Sequence, residues 1–135
     1  MKKCLILVLA VTAVCVFAQR TTYRDGSGRI KMTASPNGSR TIYRDSSGRI
    51  TGSSSQSGSR TIYRDGSGRT KMTASPNGSR TIYRDSSGRI IGSSEKVGNR
   101  TIYRDSSGRT TKSATQNGSR TIYRDSSGRI IGSSH

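Results

Sequence analysis

Beyond residue 18 the apolar side chains never gather into a run. They stand singly or in pairs among polar neighbours, as in Arg40-Thr41-Ile42-Tyr43-Arg44-Asp45, in stretches of about six residues closed by glycine-containing turn signals. Period-two patterning bounded in this way predicts β-strands. The phrase recurs every twenty residues: the tyrosines are Tyr23, Tyr43, Tyr63, Tyr83, Tyr103 and Tyr123, each followed two positions later by aspartate. A forty-residue period lies over it, since KMTASPNGSR occupies both 31–40 and 71–80. Strict repetition makes the twenty-residue unit a structural unit. Each unit carries two turn signals, Asp45-Ser46-Ser47-Gly48 and Ser35-Pro36-Asn37-Gly38 being examples. Both are read as type I turns closed by a left-handed glycine, the three-residue hairpin loop with a bulge. The expected fold is all-β: six 20-residue repeats forming an antiparallel single-layer β-meander of twelve strands, with a β-solenoid as the alternative.

With two such turns the register follows. Asp45 is expected between Arg49 and Arg29, Tyr43 between Lys31 and Thr51, Thr41 between Thr33 and Ser53, and Ile42 on the opposite face between Met32 and Gly52. The pairs Asp25 and Arg29, Asp45 and Arg49, Asp65 and Arg69, Asp85 and Arg89, Asp105 and Arg109, and Asp125 and Arg129 then form a structural ladder. Opposite charges across strands are favourable. A solenoid would stack arginine on arginine, and it gains only tyrosine and isoleucine ladders in return. The meander is expected to be an open ribbon on the order of 55 Å long. Both of its end strands offer free edges.

Composition sets limits on any core. Residues 1–18 begin with Lys2 and Lys3, continue through an apolar run from Leu5 to Val16, and end in Val16-Phe17-Ala18. This is signal-peptide patterning, with cleavage expected after Ala18. A retained anchor, or lipidation at Cys15, is the alternative. Domain organisation is therefore 1–18 signal peptide and 19–135 six-repeat β domain, in a protein expected to be secreted, at the cell surface or periplasmic. Both cysteines, Cys4 and Cys15, lie in the leader, so residues 19–135 hold no disulfide. Without the leader, 22 basic residues stand against seven acidic ones, a net charge of +15. The large aliphatics there are eleven Ile, two Met and one Val. So short a list excludes a conventional two-layer core and makes disorder the rival to folding.

The Asp-x-x-Gly-Arg step, with an aliphatic next as in Asp45-Ser46-Ser47-Gly48-Arg49-Ile50, resembles the YD repeats of Rhs-type secreted shell proteins. Tyr43 stands two before the aspartate, where the family's tyrosine is adjacent. The resemblance implies an antiparallel β-repeat surface protein and no activity. Secreted curli-like repeat proteins are similar in repeat length, without their Gln/Asn ladders here.

Catalysis requires unlike groups converging at one place, and this chain offers the same few groups everywhere. The one histidine is His135, and the one glutamate, Glu95, falls in a turn. No serine has a base in view. Metal sites need His, Cys or clustered carboxylates, whereas these aspartates lie a repeat apart beside arginines. The sequence is therefore read as a non-enzyme with no catalytic residue, no metal, no cofactor and no small-molecule substrate. Asn37, Asn77, Asn99 and Asn117 each open an Asn-x-Ser/Thr triplet. Turn chemistry accounts for three of them as Asn-Gly.

The arginines carry the functional signal. They outnumber lysine 18 to 4 beyond the leader, and guanidinium forks suit phosphate, sulfate and carboxylate. Arg24, Arg40, Arg44, Arg60, Arg64, Arg80, Arg84, Arg100, Arg104, Arg120 and Arg124 are the candidate polyanion contacts. Two functions follow. One is a secreted structural repeat protein that self-associates into fibres or matrix through sheet edges or an Ile/Met face. The other is an extracellular polyanion-binding module for lipopolysaccharide, acidic polysaccharide or nucleic acid, blind to sequence.

Overall fold

The computed structural model describes residues 19–135, so the expected signal peptide lies outside the described residues. Twelve antiparallel strands follow one another: β1 (Thr21–Asp25), β2 (Ile30–Asn37), β3 (Arg40–Asp45), β4 (Ile50–Ser57), β5 (Arg60–Asp65), β6 (Thr70–Asn77), β7 (Arg80–Asp85), β8 (Ile90–Val97), β9 (Arg100–Asp105), β10 (Thr110–Asn117), β11 (Arg120–Asp125) and β12 (Ile130–Ser134). The all-β meander is present and the solenoid is not. The expected open ribbon is corrected: β1 pairs with β12, and the sheet closes into an up-and-down barrel. Tyr23 faces Ser134 across this seam, and Thr22 and His135 exchange backbone hydrogen bonds of 2.9 and 3.3 Å. Closure removes the free edges.

The two hairpin types have different turns. Asp45-Ser46-Ser47-Gly48-Arg49 forms the three-residue loop expected. The Gly48 amide donates to the Asp45 carbonyl at 3.0 Å, the Asp45 amide donates to the Arg49 carbonyl at 2.9 Å, and Gly48 takes φ 81°. The other turn is tighter. Asn37 pairs directly with Arg40, and Gly38 takes φ 60° with no positive φ at Ser39. That is a two-residue type II′ turn, which puts glycine at its first central position.

This difference changes the register. Tyr43 lies between Ala34 and Gly52, Thr41 between Pro36 and Ser54, and Ile42 between Ser35 and Ser53. Asp45 faces Met32 on the β2 side, where Arg29 was expected. The β3–β4 seam skips Thr51, a bulge placed between the Tyr43 and Arg44 pairings, and all the three-residue hairpins repeat it. A one-residue slip turns a strand over. The even strands therefore point Met32 and Ala34 to the tyrosine side, where Lys31 and Thr33 were expected. No separate Ile/Met face exists: Met72 is buried in the lumen while Ile30 and Ile50 stand exposed outside.

The lumen is the core. Tyr23, Tyr63, Tyr83, Tyr103 and Tyr123 are 3–6% exposed, and Tyr43 is half-buried. They pack with Ala34, Ala74, Ala114 and Met72. The forty-residue period now has a cause. One luminal layer reads Met32, Gly52, Met72, Gly92, Lys112, Gly132, so long side chains alternate with none. That lets six positions fit one narrow cross-section. On the glycine strands a serine meets the tyrosine hydroxyl: Tyr43 with Ser54 at 2.9 Å, Tyr83 with Ser94 at 2.7 Å and Tyr123 with Ser134 at 3.1 Å. The barrel thus has a threefold pseudo-repeat of four strands.

Candidate functional site: the outer arginine wall

In the odd strands Tyr and Asp face the lumen, so the residues between them face out. Arg40, Arg60, Arg80, Arg100 and Arg120 begin their strands at the type II′ end and are all exposed. Arg24, Arg44, Arg64, Arg84, Arg104 and Arg124 form a second row nearer the Asp-Gly tips, half-exposed or exposed. Serine and threonine lie between the rows and steady them. Arg64 donates to Ser55 at 3.1 Å, Arg100 to Ser113 at 3.2 Å and Arg120 to Ser133 at 3.4 Å.

The expected Asp–Arg ladder takes a different form. Asp45 and Arg49 do meet, but the aspartate oxygen accepts the Arg49 backbone amide at 3.0 Å and the Ser47 amide at 2.9 Å. Asp25 with Arg29, Asp65 with Arg69, Asp85 with Arg89, Asp105 with Arg109 and Asp125 with Arg129 repeat this, each at 3.0 Å. The carboxylate clamps the turn and leaves the guanidinium exposed at the tip. A charged acceptor of two or more donors is stabilised in its ionised form. Accordingly the hydroxyl of Ser27 and the backbone amides around Asp25 hold its carboxyl below the usual range, and Ser127 does the same for Asp125. Among the described residues the one ion pair is Arg80 with Glu95, at 3.7 Å. Glu95 lies in strand β8 opposite Arg80, and not in a turn as the sequence suggested.

Sequence reasoning missed the lumen as a chemical environment. Burial raises every tyrosine hydroxyl, and neighbouring tyrosines add to the effect at Tyr23, Tyr63 and Tyr103. Lys112 occupies the position of Met32 and Met72. Its ammonium lies 4.7 Å from the centre of the Tyr103 ring, and burial pushes its pKa down to about 8. The signal was available as a lone lysine at a position otherwise held by Met or Gly, once the strand's facing is known. A cavity of about 430 Å³ opens at the type II′ end, floored by Tyr103 and Tyr123 and walled by Thr101, Thr121 and Gln116. No cluster of His, Cys, Asp and Glu suited to a metal occurs among the described residues.

Fold and wall together define a small closed antiparallel β-barrel with a tyrosine lumen and a cationic exterior. Scans against family models, curated proteins and solved structures return no match.

Proposed function

We propose that the protein is a secreted polyanion-binding module. It binds acidic polysaccharide, lipopolysaccharide or nucleic acid through the outer arginine rows, without sequence readout and without catalysis. The observation that supports this is the imbalance of partners outside the barrel: two arginine rows share one carboxylate, Glu95, because the aspartates are engaged by turn amides. Guanidinium groups with free donors on a rigid curved sheet suit a phosphate or sulfate chain. Assembly through sheet edges is the weaker reading, because closure leaves no edge strand to add to.

Titration with a sulfated polysaccharide across salt tests the proposal. Affinity falls linearly on a log–log plot of salt, and the R44Q/R64Q double variant lowers the slope by about one for each anion contact removed. Absence of binding at about 50 mM salt refutes it.

A further inference from the structure

The tips of the three-residue hairpins carry more than charge. The residue after each tip arginine is Ile30, Ile50, Thr70, Ile90, Thr110 or Ile130. The four isoleucines are 45–47% exposed, and Ile91 beside Ile90 is 43% exposed. Isolated exposed aliphatics are ordinary, but grouped ones mark contact surfaces. These are grouped: Ile130, Ile30 and Ile50 start β12, β2 and β4, alternate strands of one continuous arc of the barrel.

Each of them stands between two guanidinium groups. Ile50 follows Arg49 in the chain and pairs across the seam with Arg44; Ile30 is related in the same way to Arg29 and Arg24, and Ile130 to Arg129 and Arg124. The second arginine of each pair is drawn down to the tip. Arg24, Arg44 and Arg124 each donate to the carbonyl of the tip glycine at 3.0 Å. Positive charge and exposed aliphatics are thus held on one rim, while the tip carboxylates are occupied by the turn amides. A soluble polysaccharide satisfies the arginines and leaves the isoleucines in water. A surface with phosphates over acyl chains satisfies both.

We infer that this rim docks the barrel end-on against an anionic phospholipid bilayer, with arginines on the phosphates and Ile30, Ile50 and Ile130 seated between headgroups. The inference rests on the polyanion reading and names the partner of its tip arginines.

The test uses the chain from residue 19 with vesicles of phosphatidylglycerol in phosphatidylcholine. The I30T/I50T/I130T variant keeps the fold, since Thr70 and Thr110 already hold the same position. Its partitioning onto vesicles drops about tenfold or more, the scale set by the apolar area withdrawn, while its binding to sulfated polysaccharide is unchanged. The chain has no tryptophan, so I50W and S59W report on opposite ends of the barrel. I50W shifts to the blue on anionic vesicles and S59W does not. Unchanged partitioning of the triple variant, or a shift in S59W alone, overturns the inference. Binding to polysaccharide without binding to vesicles overturns it and leaves the polyanion reading intact. Binding to neither removes both.

Discussion

Two glycines four residues apart separate two reasons for having no side chain. Gly48 sits at φ 81° with nothing within 4 Å of a built Cβ, whereas a Cβ on Gly52 would lie 2.4 Å from the Arg64 carbonyl oxygen. Gly48→Ala places a Cβ in the left-handed region, costing about 1–2 kcal/mol. Restricting the unfolded chain returns about 0.5–1 kcal/mol. The net loss is roughly half to one kcal/mol. Gly52→Ala gains the same entropy but forces the Cβ about 0.9 Å inside an ordinary ~3.3 Å carbon–oxygen contact. The listener to that clash is backbone in a seam held on both sides, so the strands must part, at a cost of about 2–3 kcal/mol. Seams carrying Met32 or Met72 accept a side chain at this level, so the close approach belongs to the glycine seams, and Gly92 and Gly132 repeat it at 2.5 and 2.4 Å. Urea unfolding followed by tyrosine fluorescence measures both variants. Gly52→Ala is expected to lose about 1 kcal/mol more than Gly48→Ala, or about 4 °C in Tm. Equal losses, or the reverse order, would refute the packing argument for the alternating luminal layer.

Stability should climb with pH from about 8 until the unfolded tyrosines begin to ionise below pH 10, because unfolded Lys112 still binds a proton that the folded form has released, and the K112M variant should abolish that climb and gain stability below pH 8. Above pH 10 the order reverses: unfolded tyrosines ionise while buried ones are held protonated, so denaturation curves collected from pH 9 to 12 should show a steep loss. At the acid end Asp25 and Asp125 hold their protons less tightly when folded, so their contribution is present above pH 3.8 and fades as pH falls below it, which Asp25→Asn should blunt in an acid titration followed by circular dichroism. Ser94→Ala leaves the Tyr83 hydroxyl without its 2.7 Å partner and should cost about 1–2 kcal/mol in chemical denaturation.

Twelve strands, their spacing and the Asp-x-x-Gly turns were legible because turn chemistry is local. The register was not. Ser35-Pro36-Asn37-Gly38 read as a second three-residue loop, but Gly38 at φ 60° serves a two-residue turn, and that one-residue difference turned Met32 and Ala34 inward. Closure was hidden for a related reason. With Tyr43 expected between Lys31 and Thr51, its row had no small or apolar neighbours to pack against, whereas the true neighbours are Ala34 and Gly52. Facing Ala, Gly and Ser, those rings fill a lumen whose hydroxyls bond to Ser54, Ser94 and Ser134. The spacing of the arginines is plain in the repeat, but that Asp45 and its repeats bind turn amides and leave the tip guanidinium groups exposed is visible only in the folded turns.

Eleven of the twelve seams join strands adjacent in sequence, and the last joins β1 to β12. A growing meander can therefore zip locally, but its circumference is fixed by the final seam. Repeat number becomes a gauge of diameter. Because Met and Gly strands alternate, the chain can lengthen or shorten only in forty-residue steps without setting two long luminal side chains together. One step fewer gives eight strands and four tyrosines in a tighter bore; one step more gives sixteen strands and a bore that eight tyrosines no longer fill.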